Sequence, residues 1–423
     1  MAIIRIAVDS KRGNLMSGHG WQQSVLQGIG TRIEVLAEMY PRVYLLLTTI
    51  VALTGYACLA LFPLLVLAGM AGMYHAFFNP LYIAWSPLLG WALVTVCSGL
   101  VTYRLFRFRP APPAGVVLDR ELAPDLHGLV DDTAEHYGRI GVDRIVITGG
   151  YQLDIIMTPC TALPAGSMRS LVIGLPLMQC LSSQQLVCLL ARRLGQFSKR
   201  SNRLLNWLFE LRDIWPLYRS RDAGADPGYL PVHLLFTVYA PLYTVFSTAA
   251  ARLDELRADS YAMEVCSDDE VLEAISTDAV NRLFLRDKYW PVIRKLGAQE
   301  ATAITKTNAG MMTVLRAGLK NENIGEWIEK AMCMEQQWND PNPLLVRRLD
   351  NIGHAHARLN TRVSESAADD YLPAPVQDMR DALEKITPAG KSRLQPWSLQ
   401  IAGLKRKLQS LLHALHAREV KQG

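Results

Sequence analysis

From Val43 to Tyr103 the chain has no Asp, Glu, Lys or Arg, a gap of 61 residues. Over the whole sequence charged residues reach only 20%, below the roughly 25% of soluble domains. No soluble domain of ordinary composition leaves so much chain uncharged, so a simple soluble globular protein is excluded. A hydrophobic content of 50% excludes a disordered chain. Cysteine is scarce, with seven residues and no Cys-x-x-Cys pair. That excludes a secreted disulfide mini-protein. The odd number, with Cys58 and Cys97 inside the uncharged run, reads as reduced thiols. Also missing are a Gly-rich phosphate loop, a Gly-x-Ser-x-Gly element and any long internal repeat. About 320 residues follow the gap, enough for one large domain or two small ones.

The uncharged run divides into Val43–Gly72 and Leu81–Tyr103, joined by Met73–Pro80 with its Asn79-Pro80 turn signal. Each part exceeds the roughly 20 apolar residues a helix needs to cross hydrocarbon. Backbone groups in lipid must bond internally, so a two-helix transmembrane hairpin is expected over 43–103. The 42 preceding residues, and the lack of a small-residue cleavage site, argue against a cleaved signal peptide. Arg5, Lys11, Arg12, Arg32 and Arg42 precede the hairpin, and Arg104, Arg107 and Arg109 follow it, while the connection has no Lys or Arg. The positive-inside rule then predicts both termini and the main domain on the cytoplasmic side of an inner membrane. The lipid bilayer is the first expected partner.

After a stiff Pro110–Pro113 exit, Leu122–Tyr137 has helical spacing with Pro124 in its first turn. Arg144–Thr148 and Leu171–Gly174 are β-rich, with a turn at Thr161–Gly166 between them. Ser182 and Gln185 form the capping-box pattern of a helix running to Phe197. A polar loop at Arg219–Pro227 leads into Pro227–Ala251, a further 25 residues without charge. Arg252–Val265 is then a mixed helix, and 268–336 reads as further helices. Asp340–Pro343 breaks the chain before a helix over Leu344–Leu359. Ser364–Leu372 and Pro388–Pro396 read as linkers.

Several segments in this order carry a resemblance. They are Pro164-Ala-Gly166, Leu171-Val-Ile-Gly-Leu-Pro-Leu177, Leu181-Ser-Ser-Gln-Gln-Leu186 and Ala191-Arg-Arg-Leu-Gly-Gln-Phe197. Glu255-Leu-Arg-Ala-Asp259 and Pro343-Leu-Leu-Val-Arg347 follow. Together they resemble the M48 metallopeptidases, which include membrane-anchored HtpX-like proteases. The resemblance covers roughly 112–360. It implies an α+β, mostly helical chain: the hairpin plus a zincin-like cytoplasmic domain with a small β-sheet. The remaining segments are 1–42 at the N-terminus, 361–390 as linker and helix, and 391–423 as a tail.

In that family a His-Glu-x-x-His helix binds zinc and activates water. The corresponding run here is Arg192-Arg193-Leu194-Gly195-Gln196. The resemblance therefore places Arg192 and Gln196 at the histidine ligands and Arg193 at the general base. It places Glu255 at the third ligand and Asp259 at a supporting position. A guanidinium stays protonated and cannot ligate zinc or act as base. A lost zinc site, no cofactor and no catalytic residue are the expectation. Arg192 should replace the metal charge by pairing directly with Glu255; the alternative leaves both charges in water. A separation above about 6 Å would exclude the pair.

Of nine histidines, His354 and His356 are spaced i, i+2 and share no helix face. His413 and His416 lie in the tail. All read as solvated or packed rather than as ligands. Glu210 and Asp213 could serve as a base but read as a solvated helix face. Both halves of the site must reach one compartment. Pro231, His233 and Pro241 favour a re-entrant, interfacial or protein-packed helix for 227–251, with a true third span left open.

Residues 391–423 carry seven positive charges and one negative, with Ile401, Leu404, Leu408, Leu411, Leu412 and Leu415 at helical spacing. This basic amphipathic helix suits an anionic membrane surface or packing on its own domain or a partner. It has no interleaved aromatics, so nucleic acid is not expected. The reading is a membrane-anchored, catalytically inactive M48-like pseudoprotease that binds or regulates membrane proteins or a partner complex. The alternatives are a metalloendopeptidase with displaced metal or catalytic residues and a structural membrane subunit.

Overall fold

The computed structural model describes residues 18–78, 85–107, 113–138, 140–159, 167–198, 203–219, 227–291, 315, 324–337, 340–358 and 366–372. The expected basic helix over 391–423 lies outside them, as do the Thr161–Gly166 turn and most of 361–390. Two compact units divide the chain: Ile29–Thr387, and Met1–Gly28 with Pro388–Gly423. Of the second unit the described part is helical from Gly18. The described residues are mostly helical with a small mixed sheet.

Helix α1 spans Gly18–Met39, α2 Pro41–Phe78 and α3 Trp85–Phe106. The sequence reading had no helix at α1. It also placed a loop from Met73, whereas α2 continues to Phe78, because Met73–Phe78 contains no helix breaker before Asn79-Pro80. At 38 residues, α2 is about 57 Å long, well beyond the roughly 30 Å of hydrocarbon. Its far half packs on α3. Its near half, around Tyr44, Ala52 and Leu59, packs on later helices. Outward, Leu46, Ile50, Leu53, Leu64 and Leu67 are exposed. A long outward apolar stripe of this kind needs a partner that is not water.

A four-stranded sheet follows, in the order β1-β2-β4-β3. Its strands are β1 Val116–Leu118, β2 Arg144–Thr148, β3 Leu153–Pro159 and β4 Ser167–Gly174. The pair β2–β4 is parallel, while β1–β2 and β3–β4 are antiparallel. In β3, Leu153, Ile155 and Met157 are buried in alternation with Asp154, Ile156 and Thr158. That period of two is the strand signature. Helix α4, Pro124–His136, starts with Pro at its first turn, and the short α5 covers Leu175–Cys180. Helix α6, Ser183–Gln196, packs Leu186, Leu190 and Leu194 with Ile145, Ile147, Leu171 and Ile173 in one core. Each such side chain stabilises the fold by roughly 1.5–3 kcal/mol on burial.

Helix α7, Arg203–Arg219, runs away from the end of α6, and α8, Leu230–Ala262, returns antiparallel to it. Tyr243 donates to the Leu208 carbonyl at 2.6 Å, and the Trp215 and Phe236 rings lie 5.5 Å apart. The sequence reading split α8 at Arg252. The structure has one helix that continues through Pro241, which is buried within the packing. Among the described residues three helices are long and apolar enough to cross a membrane: Pro41–Phe78, Leu88–Phe106 and Leu230–Ala262. The chain is a membrane protein on this ground. The apolar window of α8 is 56% buried, against 22% and 17% for the others, so α8 is far more covered by protein than the hairpin is. Arg252, Asp254, Glu255, Arg257 and Asp259 end the apolar stretch, so the last three turns of α8 lie outside any span.

The rest is α9, Asp268–Phe284, extended by one π-turn at Leu285–Tyr289, then α10 Ile324–Met332, α11 Leu345–Asn351 and α12 Ala367–Tyr371. The helix expected over Leu344–Leu359 stops eight residues early. Gly353 at φ 79 turns the chain, and His354 N–H closes on the Leu349 carbonyl at 2.9 Å. That is a glycine-dependent helix end.

A buried ion-pair cluster as the candidate functional site

The capping box expected at Ser182 is formed. The Gln185 amide donates to Ser182 Oγ at 3.3 Å, and the Ser182 amide donates to Gln185 Oε1 at 3.2 Å. It fixes the start of α6, and α6 then carries Arg192, Arg193 and Gln196 inward, all buried. At Gly195 the helix passes against α8. A Cβ there would meet the Tyr261 ring, with Tyr261 Cγ at 2.7 Å. This close approach brings the last turns of α6 and α8 face to face.

Between them is a closed set of charges. Arg192 Nη2 pairs with Glu255 Oε2, and Arg192 Nε lies 2.6 Å from Asp259 Oδ1. Arg193 Nη1 lies 2.6 Å from Glu255 Oε1, and Gln196 Nε2 donates to the same oxygen at 3.3 Å. Arg193 also donates from Nε to the Leu153 carbonyl at 3.0 Å and pairs with Asp154 on β3 at 3.1 Å. Arg348 on α11 completes the set, at 2.9 and 2.8 Å from the two Asp259 oxygens. Glu255 is 2% exposed and Asp259 0%, so the alternative with both charges in water is excluded. The pairing expected between Arg192 and Glu255 is present. Three guanidinium groups face two buried carboxylates, Glu255 and Asp259, and the half-exposed carboxylate of Asp154.

Burial alone would push the Glu255 carboxyl up, but Arg192 and then Arg193 outweigh it and hold it far below the usual carboxylate range. Asp259 is likewise lowered, as Arg348 and Arg192 overcome its burial. Burial works against the Arg192 charge, yet Glu255 and Asp259 leave its value raised. Asp254, one residue before Glu255, behaves oppositely. Burial first, then the Glu255 charge, push it up to about 7, and among the described residues its Oδ1 has no hydrogen-bond partner.

The sequence reading took Arg347 as the end of its Pro-Leu-Leu-Val-Arg element. The structure puts Arg348 in the cluster instead, while Arg347 reaches outward to Glu38 at 3.0 Å. The available signal was Leu345 and Leu349, both buried, which place Arg348 on the inner face of α11. Asp154 was missed with its strand. Glu210 is not on a freely solvated face; burial pushes its carboxyl up. The side chain of Asp213, like His19, His413 and His416, lies outside the described residues. His127 Nε2 lies 3.1 Å from the Leu118 carbonyl, and His356 is exposed.

A zinc ion of the family type needs imidazole nitrogens and carboxylate oxygens free to coordinate it. At this position Arg192, Arg193 and Gln196 supply no imidazole. Both Glu255 oxygens are occupied by guanidinium groups and an amide. The residues present do not fit that metal. Among the described residues no group of three or more His, Cys, Asp or Glu is placed to hold a metal ion. Comparison with protein-family models, with curated proteins and with solved structures found no match to this chain.

Proposed function

We propose that the chain is a membrane-anchored pseudoprotease with an M48-like, zincin-like cytoplasmic domain, acting by binding rather than by hydrolysis. One observation carries the reading. Arginines stand where the resemblance puts a zinc ligand and the general base, and they are locked to the two carboxylates that the same resemblance places in the site. Arg192 supplies in place the positive charge that a metal would otherwise bring, so no cofactor is needed. The hairpin of α2 and α3 anchors the domain in the inner membrane, with both termini and the domain on the cytoplasmic face. The basic tail rests on the anionic surface. Client membrane proteins, or a partner complex, are held beside the bilayer.

The test is site-specific photocrosslinking around Asp154 and Tyr151, at the edge of the cluster, in intact membranes. Membrane polypeptides joined to these positions, uncleaved, are the expected result. Clients released as fragments, in a manner abolished by Glu255→Ala, would favour a displaced metalloendopeptidase. No adduct at either position would favour a structural membrane subunit.

A further inference from the structure

Helix α2 is too long for the hydrocarbon of a bilayer. Its 38 residues extend about 57 Å against roughly 30 Å of acyl chains, so lipid covers only part of it. The 22 residues of α3 extend about 33 Å and match that thickness. The packing of the hairpin tells which part of α2 lies beside them. A Cβ at Gly69 would meet Thr95, and one at Gly72 would meet Trp91. Leu59 and Leu105 share one core. Arg104 is therefore level with about residue 60 of α2, counting along two antiparallel helices.

Both ends of this overlap carry interfacial side chains. Tyr74, Phe77 and Phe78 are exposed at the far end. Tyr103 and Phe106 are exposed at the near end, where the Arg107 guanidinium lies 5.3 Å from the centre of the Tyr103 ring. The two aromatic groups are separated by about 25 Å along the helices, close to the hydrocarbon thickness. Aromatic side chains at both ends, with arginines at one, mark the two membrane interfaces. Between them Leu64, Leu67, Leu93 and Val96 face outward.

The near half of α2 has different neighbours. A Cβ at Gly228, just before α8, would lie 3.2 Å from Leu100 and 3.4 Å from Arg104, so α8 starts where α3 ends. From there it runs back along α2. Tyr239 Oη donates to the Val51 carbonyl at 2.7 Å, and Tyr44 Oη donates to the Phe246 carbonyl at 2.7 Å. Helix α7 stands at the same level, since Trp207 Nε1 donates to Tyr56 Oη at 3.3 Å and Arg212 Nη1 donates to Thr248 Oγ1 at 3.0 Å. Hydrocarbon around this half would have to take in Glu210 and Arg212, midway along α7, and ionisable groups at that depth are costly.

We propose that acyl chains cover α2 only from about residue 60 to Phe78, with α3 beside it, and that the near half of α2 forms with α7 and α8 a stalk on the domain side of the bilayer. The first span of the sequence reading, Val43–Gly72, shifts toward the hairpin connection. Helix α8, although apolar enough to cross, stays out of the hydrocarbon. From Leu230 to Glu255 the stalk raises the charge cluster about 35 Å above the acyl chains. A client membrane protein must then extend about ten residues beyond its own span to reach Asp154, a consequence that rests on the proposed function. The placement of the bilayer does not depend on that reading.

The test places p-benzoylphenylalanine singly at Leu46, Leu67, Val96 and Val238 of the full-length protein, all outward and exposed. The protein is irradiated in its native membranes, and phospholipid adducts are read by mass spectrometry of the intact chain. Adducts are expected at positions 67 and 96 and not at 46 or 238. An adduct at 46 or 238 in a yield comparable with that at 67 overturns the placement, and so does the absence of adducts at both 67 and 96. None of these outcomes involves zinc or hydrolysis, so a failed placement is distinguishable from a failed pseudoprotease reading.

Discussion

Arg193 Nη1 stands 2.6 Å from Glu255 Oε1, with the arginine 8% and the glutamate 2% exposed. This pair joins the two helices of the site and shares Glu255 with Arg192. Removing one partner of such a buried set leaves its opposite uncompensated, at a cost of about 3–5 kcal/mol. Glu255→Ala should therefore lower stability by about that amount, read from chemical denaturation in detergent. Arg192→Met combined with Glu255→Met should cost less than the two single changes added together, because no lone charge is stranded.

Arg348 and Arg347 are neighbours in sequence with different surroundings. Arg348→Ala removes two of the three guanidinium nitrogens that bind Asp259 and should cost about 3–5 kcal/mol. Arg347→Ala breaks a half-exposed pair with Glu38 and should cost less than about 1 kcal/mol. Parallel unfolding curves of the two variants check the contrast. Equal effects would place Arg348 outside the cluster.

The first membrane helix is spliced into the helix of the site. Tyr44 Oη donates to the Phe246 carbonyl at 2.7 Å and accepts from the Ala250 amide at 2.7 Å, two groups that an uninterrupted helix would bond to each other. Tyr44→Phe should cost about 1–3 kcal/mol if the carbonyl and amide stay apart. Hydrogen exchange at the Ala250 amide should quicken in the variant. Unchanged exchange and stability would mean that α8 closes its own bond once the hydroxyl is gone.

Three acids set opposing pH dependences. Asp254 rises from 3.8 to about 7 on folding, so the folded state holds its proton more tightly. Its contribution is complete below about pH 4 and is lost as pH rises toward 7, by up to about 1.4 kcal/mol per pH unit. Glu255 and Asp259 are lowered, so their contribution is present above their unfolded values and is lost as pH falls through the acid range. Stability should peak in mild acid. Asp254→Asn should flatten the decline between pH 4 and 7 and leave the acid limb unchanged, as measured by melting temperature against pH.

What the sequence made legible follows from how local each signal is. The hairpin was readable because 61 uncharged residues have no other home. The start of α6 was readable because Ser182 and Gln185 are three residues apart. The Arg192–Glu255 pair was reachable through the resemblance and the cost of a buried lone carboxylate. Arg348 and Asp154 were not, since each enters the cluster through tertiary packing: one by the turn of α11, the other from an edge strand whose alternation includes an acid. The continuity of α8 was hidden by the change from uncharged to charged residues at Arg252, which reads as an element boundary although the helix runs through it.

The most direct test of the pseudoprotease reading is the zinc content of the full-length protein, purified in detergent without chelators and measured by mass spectrometry of the metal. The expected result is zinc far below one per chain, unchanged by Glu255→Ala. One zinc per chain, lost in Glu255→Ala together with peptide hydrolysis, would contradict it.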